Sequence, residues 1–492
     1  MEKSKSSAPN TAPSNPLSRR VGFFLGLGLF IAILIMPTPS GLEPIGQRVL
    51  AVAVLMATWW GTEAIPIPIT SLLPIALFPL LNISGAKPTT NISMLPSYAH
   101  WVVYLVLGVF VLSAAIVKWN LHKRIALHII RLSGNKPSRV VLGFMVATAF
   151  ISMWMSNTTA TAMMLPVAIS ILVQIDASHE EPFGKCLMLA IPFSATIGGI
   201  GTIIGTGTNL TGVALIKDTI GLDISFYEWM MKIGLPFVII IIPAMWIFMT
   251  KYYKVNQSIQ LDTSVVNDEL KKLGKMCKGE KLTVAIFLAA VVLWLTKTLY
   301  KPFFPMIGDE TIAMLAAIAP FVIPVDFKKG IFVMDIKTAI EKISWGTLLL
   351  IGGALTIGGA FASAGCAAWI AGGLGFLEGV PMFGIIMFVA IIVAFLTEVT
   401  TNMVVVAAFL PMLVGIAQSV GVSPFLLMLT ATIASSFAFM LPPATPPNAI
   451  AYGTGYIDMK DLIKTGFWTK VICLIIFPIV LYLVTLRAFP MM

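Results

Sequence analysis

The chain has 492 residues, of which 58% are hydrophobic and 11% charged, and a mean hydropathy of +0.94. A soluble chain carries about a quarter charged residues, so this composition excludes a soluble globular fold. Apolar runs long enough to cross roughly 30 Å of hydrocarbon recur from end to end. The expectation is an all-α polytopic membrane protein.

The net charge of +10 sits in short loops between the apolar runs. That placement orients membrane helices and does not indicate nucleic acid as a partner. Cys186, Cys277, Cys366 and Cys473 show no CxxC spacing, and the four histidines show no ligand spacing. Neither a disulfide framework nor a resident metal or other cofactor is indicated. No HExxH, GxSxG, paired-Asp or Walker A pattern occurs, so the chain reads as neither an enzyme nor an ATP-driven pump.

In chain order, residues 1–20 are polar, rich in Ser and Pro, and end in Arg19–Arg20. They are expected to form a disordered cytoplasmic tail. The following run, Val21 to Met36, leads into "PTPSGLEP" with no small-x-small cleavage site, which favours a retained span over a signal peptide. Spans are predicted near 21–37, 47–60, 66–82 and 100–118, with 21–99 read as N-terminal scaffold helices. Residues 119–139 carry His122, Lys123, Arg124, Arg131, Lys136 and Arg139 and read as a basic cytoplasmic loop. Residues 251–281 hold seven lysines against four acids and read as a second cytoplasmic loop.

Between those two anchors the crossings must be even in number. That condition makes 138–174 a hairpin that enters and returns on one side, and 185–222 a span broken at "GTGTN" (205–209). Residues 282–343 read as connecting scaffold helices. The 344–490 segment then repeats 100–250: hairpin 380–420, broken span 423–456 and last span 467–487.

The repeat rests on spacing. Trp101 precedes Gly108 by seven residues, as Trp345 precedes Gly352; Asn157 precedes Pro166 by nine, as Asn402 precedes Pro411. "GTGTN" (205–209) answers to "ATPPN" (444–448). The basic 119–139 segment has a counterpart, 365–379, whose only charge is Glu378. The two copies are therefore expected to be inverted, with about eleven crossings, a cytoplasmic N-terminus and an external C-terminus.

Four polar interruptions fall at 156–158, 205–209, 400–403 and 444–448, each with Asn and Thr. Irregular backbone at membrane depth survives only inside protein or beside a water-filled cavity. The N-terminus of a returning helix attracts an anion, and the carbonyl end of the preceding helix suits a small cation. Ser, Thr and Asn also serve as packing between membrane helices; paired tips beside paired breaks favour a site. No Lys or Arg lies in 140–175 or 394–456. A buried dianion would cost several kcal/mol uncompensated, so cation coupling is favoured, with Lys118 or Lys185 as alternative charges. Glu398, four residues before Asn402, is either functional or holds the shape of the tip by accepting its amides. Glu63 reads as a helix cap or a snorkelling residue.

"SNT" (156–158), "LTEVTTN" (396–402) and "SSFAFMLPPATPPNAIAYGTG" (435–455) resemble the divalent anion/sodium symporter family. "WWGTEAIPIPITSLLP" (59–74) and "ATIGGIGTIIGTGTN" (195–209) are similar to it as well. The resemblance covers about residues 20–490 and implies a homodimer in the plasma or inner membrane. Each protomer would pair a scaffold with a transport domain that moves as an elevator. It implies a secondary carrier of C4-dicarboxylates (succinate, malate, fumarate) coupled to Na⁺, or a Na⁺-independent dicarboxylate exchanger; an anion channel is the reading from another class.

By position in those motifs, one Na⁺ would meet Ser152, Ser156, Asn157 and Gly205, and a second Thr397, Thr400, Asn402 and Ala444. Substrate would meet Ser156, Asn157, Thr158, Thr401, Asn402, Met403, Thr445 and Pro446. Two departures stand out: Met403 replaces the Thr of a second Ser-Asn-Thr, and "GTGTN" replaces "GTPPN".

Overall fold

In a computed structural model the described residues are 16–83, 95–175, 181–257, 264–372 and 380–485. Residues 1–15 of the expected tail, Glu378, and the end of the 467–487 span lie outside them. The chain opens with α1 (Pro16–Ile35), α2 (Pro44–Thr62), α3 (Ile67–Thr70) and α4 (Leu73–Leu80), then α5 (Leu95–Tyr98) and α6 (Trp101–Lys118). Next come α7 (Leu121–Leu132), α8 (Pro137–Ser152), α9 (Asn157–Gln174), α10 (Pro182–Ile200) and α11 (Gly207–Ile220). After α12 (Phe226–Glu228) a π-helical turn at Trp229–Gly234 leads into α13 (Leu235–Tyr252), followed by α14 (Ser264–Leu273) and α15 (Lys278–Leu295).

The second half begins with α16 (Lys297–Tyr300) and α17 (Asp309–Val322). The antiparallel pair β1 (Pro324–Asp326) and β2 (Ile331–Phe332) follows, then α18 (Ile336–Lys342) and α19 (Trp345–Ser363). It ends with α20 (Cys366–Gly372), α21 (Met382–Leu396), α22 (Asn402–Ser419), α23 (Pro424–Ala434), α24 (Pro446–Tyr452) and α25 (Met459–Val480).

Among the described residues, eight helices are long and apolar enough to cross a membrane, and four shorter apolar helices accompany them. The protein is a nearly all-helical, multi-pass membrane protein. At 1.5 Å per residue, α8, α21 and α23 are only about 24, 22 and 16 Å long, short of the roughly 30 Å core. These are the arms of the two predicted hairpins and the first half of the second broken span, so their length alone argues against a full crossing. The deepest helices are α10, whose span is 94% buried, and α23, whose Phe425–Ala434 stretch is buried throughout. By contrast α1 is only 11% buried, which is the exposure of a helix facing lipid.

Several expectations are corrected. The 119–139 loop is largely α7, an amphipathic helix that buries Leu121, Ala126, Leu127 and Ile130 on one side. Its basic side is used in pairs: Arg124 donates to Glu280 in the first turn of α15, and Lys123 Nζ lies 2.6 Å from Glu269 of α14. The second loop, 251–281, likewise contains α14. Residues 16–20, placed in the tail, belong to α1. The 66–82 span is interrupted between α3 and α4, where Pro68 and Pro74 each open a short helix. The two-stranded β-hairpin before α18 was not anticipated. Glu63 is the left-handed C-cap of α2, with φ 48°, and pairs with Arg19 at 3.7 Å.

Candidate substrate and cation site

The first hairpin turns at 153–156. Met153 is the C-cap of α8 and Ser156 the N-cap of α9, its hydroxyl accepting from the Thr159 N–H at 3.2 Å. The predicted tip 156–158 is therefore split: Ser156 caps, while Asn157 and Thr158 form the first turn of α9. A serine here satisfies one of the free amides that open a helix, and leaves the others for a ligand. Ser152 Oγ donates to Asn157 Oδ1 at 2.7 Å across the turn. That carboxamide lies directly on Gly199 of α10, where a Cβ would stand 2.4 Å from Asn157 Oδ1. A Cβ at Gly205 would stand 2.4 Å from the Gly199 carbonyl oxygen. Three of the residues expected around the first cation, Ser152, Asn157 and Gly205, thus converge on one glycine. Ser156 is adjacent in the chain but exposed.

The second hairpin repeats the lock. Thr397 Oγ1 lies 2.6 Å from Asn402 Oδ1 and 2.7 Å from the Ser435 carbonyl, sharing its one proton between them. Thr401, the N-cap of α22, has φ −72° and ψ 145° against −61° and 141° at Ser156. Its hydroxyl caps nothing. Thr400, Thr401 and Thr445 each bury an Oγ1 with no hydrogen-bond partner. A buried hydroxyl left unpaired costs about 1–3 kcal/mol, and Thr70, Thr161, Ser194 and Thr430 share that condition outside the expected site.

The two helix breaks match as well. Asn209 Nδ2 donates to the carbonyls ten and seven residues earlier, Gly199 and Thr202. Asn448 Nδ2 does the same to Ala438 and Leu441, ten and seven residues earlier. Thr206 and Thr445, which head α11 and α24, have φ/ψ of −144°/145° and −143°/143°. The halves then cross over: α11 packs on α22 and α23, and α24 packs on α9 and α10. Each hairpin therefore meets the second half of the other repeat's broken helix. Thr445 and exposed Pro446 begin the helix that serves the first hairpin, and Gly207 begins the one that serves the second. A Cβ at Gly207 would lie 2.7 Å from Met403 Sδ, which places the thioether at the head of α11. Thr158 is half-buried on the first turn of α9.

One residue pair was missed. Lys470 of α25 is fully buried and its Nζ lies 2.7 Å from Glu398 Oε1 and 2.6 Å from the Ala394 carbonyl at the end of α21. Glu398 also accepts from the amides of Phe439, Met440 and Leu441 at 2.9–3.1 Å. These are not the tip's own amides, as expected, but those of the break after α23. Helix α23 stops at Ala434 and leaves them unpaired, whereas α10 runs on to Ile200. Breaking such a buried pair typically costs about 3–5 kcal/mol. The sequence signal was a lone lysine four residues into the last apolar span. The alternatives weighed instead are committed elsewhere: Lys118 to Asp335 at 2.8 Å, and Lys185 to Asp461 at 3.1 Å.

Comparisons with known proteins bear on this arrangement. The chain is 36% identical over 477 residues to the sodium-dependent dicarboxylate transporter SdcS of Staphylococcus saprophyticus, covering 94% of this chain and 90% of that protein. It is 37% identical over 497 residues to SdcS of Staphylococcus aureus USA300, covering 98% and 93%. Two solved structures share the fold at 13% identity. Neisseria gonorrhoeae MtrF, described as illuminating a class of antimetabolite efflux pumps, matches with a TM-score of 0.59 over 97% of both chains. The Alcanivorax borkumensis YdaH transporter matches with 0.54 over 89% of this chain and 98% of that one. Residues 18–486 match the profile of the sodium:sulfate symporter transmembrane region, and the chain belongs to that family.

Proposed function

We propose that this protein is a secondary active symporter that moves C4-dicarboxylates such as succinate, malate and fumarate with Na⁺. The observation that carries the reading is the pair of matched polar tips. Each has an asparagine locked across its turn (Ser152–Asn157 and Thr397–Asn402) at the mouth of a helix, beside a broken helix from the other repeat. Two helix N-termini offer amides and partial positive charge to the two ends of a dianion. The carbonyl-rich ends of α8 and α21 and the two breaks suit Na⁺ as co-transported substrate.

Charge supports coupling. The tips and breaks hold no Lys or Arg, and the nearby Lys470 is neutralised by Glu398. A dianion entering this site thus gains no net side-chain charge, and bound Na⁺ supplies the compensation. The staphylococcal relatives, both sodium-dependent dicarboxylate transporters by name, agree with both substrates. In this reading Asn157, Thr158, Asn402 and Thr445 hold the carboxylates, and Ser156, Thr401, Met403 and Pro446 line the same space. Ser152, Gly205, Thr397, Thr400 and Ala444 serve the cations. The hairpins and broken helices form a transport domain that moves as an elevator against a scaffold of the remaining helices. Two copies associate in the plasma membrane, with the N-terminus cytoplasmic and the C-terminus external.

Uptake of labelled succinate into proteoliposomes tests the reading. An inward Na⁺ gradient is expected to drive accumulation into vesicles that contain no dicarboxylate, with sulfate run as competitor. Uptake that needs internal dicarboxylate and ignores Na⁺ would make the protein an exchanger. Flux that never exceeds equilibration would make it a channel.

A further inference from the structure

Glu398 and Lys470 are 5% and 0% exposed, and nothing in holding a dicarboxylate requires them. Glu398 sits in the turn between α21 and α22, one residue after Thr397 and four before Asn402. Its two oxygens take up three consecutive amides of the break after α23. Lys470 reaches it from α25, caps the α21 carbonyl end at Ala394, and lies 4.5 Å from the centre of the Phe395 ring. One carboxylate therefore joins the second tip to the second break, and one ammonium fastens both to a long helix.

The first hairpin has the same crosspiece without charge. Met153 stands four residues before Asn157, as Glu398 stands four before Asn402, and its carbonyl accepts from Thr202 Oγ1. Thr202 and Leu441 are equivalent, since their carbonyls are the partners of Asn209 and Asn448. In both halves the residue four before the asparagine ties the tip to the break. Only in the second half is the tie ionic.

We infer that Glu398, oriented by Lys470, is a positioning residue for the cation of the second half-site. That site would draw its oxygens from two separate segments, the tip (Thr397, Thr400, Asn402) and the break (Ala444). A shell built from two segments binds well only while their spacing is held, and supporting hydrogen bonds are what hold it. Glu398 spans that gap and touches no expected substrate residue, so it sets the affinity for Na⁺ and leaves the hold on dicarboxylate unchanged. The inference rests on the Na⁺-coupled reading above.

The full-length protein in proteoliposomes tests both in order. Wild type is assayed first for Na⁺-driven succinate uptake; its absence would remove the coupled reading before any variant is read. Glu398→Gln puts an amide donor against backbone amides and leaves Lys470 without its counter-charge. With insertion matched to wild type, the Na⁺ concentration for half-maximal uptake is expected to rise at least about tenfold. The succinate KM at saturating Na⁺ is expected to stay within about twofold. Na⁺-dependent thermal stabilisation of the detergent-purified protein should shift to higher Na⁺ in parallel. An unchanged Na⁺ dependence, or an equal rise in both constants, would reduce the pair to general packing and overturn the inference. If Glu398→Gln does not insert, Glu398→Asp carries the test to the same outcomes, since it keeps the charge but is one methylene too short to serve all three amides.

Discussion

Gly199→Ala probes the first half-site at its tightest point. The added Cβ would stand 2.4 Å from Asn157 Oδ1, where an unstrained C···O contact lies at about 3.3–3.6 Å. Roughly 1 Å must therefore be found, and α10 is packed too closely to give it. Asn157 has to move, and with it the Ser152 hydrogen bond that locks the turn. Overpacking of this size costs about 1–3 kcal/mol, or roughly 5- to 150-fold in an equilibrium constant. The expected result is a rise of that order in the Na⁺ concentration needed for succinate uptake, with the protein still inserted and monodisperse. The counterpart carbonyl acceptor in the second half is Ala438, which already carries a methyl group and is fully buried; Ala438→Gly should shift the Na⁺ dependence far less. A Gly199→Ala protein with wild-type Na⁺ dependence would refute the claim that Asn157 must rest on bare backbone.

Asn157→Ala removes the acceptor for Ser152 and an amide at the mouth of α9, and should abolish succinate uptake while the melting profile in detergent changes little; near-normal uptake would return the tip to a packing role. Met403→Thr replaces the thioether beside Gly207 by a hydroxyl that can donate to a carboxylate, and should lower the succinate KM by about threefold or more; an unchanged KM would place Met403 outside the substrate's reach. Lys118 and the Thr338 amide and hydroxyl hold the Asp335 carboxyl well below the usual carboxylate range. A depressed carboxyl contributes stability that is present above its unfolded value near 3.9 and lost as pH falls through the lower folded value. Melting curves of wild type and Asp335→Asn should therefore differ by a constant amount between about pH 5.5 and 8. Because Asp335 is half exposed, that difference should stay below about 1 kcal/mol.

Much of the arrangement was legible from periodicity and punctuation. The first hairpin was placed from the even number of crossings that two basic cytoplasmic anchors require, and the second from the repeat. The breaks were placed from Gly, Pro and Asn inside apolar stretches, and the duplication from recurring intervals. The loop assigned to 119–139 failed for a physical reason: charge density was read as a loop, whereas a 12-residue amphipathic helix packs its apolar side on α8 and pairs its basic side with Glu269 and Glu280. The second half-site was legible in part. Thr401 and Thr445 were named, but Thr206, the twin of Thr445, was passed over although the "GTGTN" and "ATPPN" alignment contained it.

The sequence by itself determined that this chain lives in a membrane, that it is built twice, and which short polar segments each copy contributes. Those follow from composition and one-dimensional spacing, which no folding can alter. Only the tertiary structure decided which segments meet. The crossing-over of α11 and α24 between repeats, the seat of Asn157 on Gly199, and the burial of Lys470 against Glu398 join residues far apart in the chain. A lone lysine in an apolar run shows that a buried charge needs a partner. Which carboxylate answers it depends on where two helices end, and α23 ends early enough to leave three amides that Glu398 reaches.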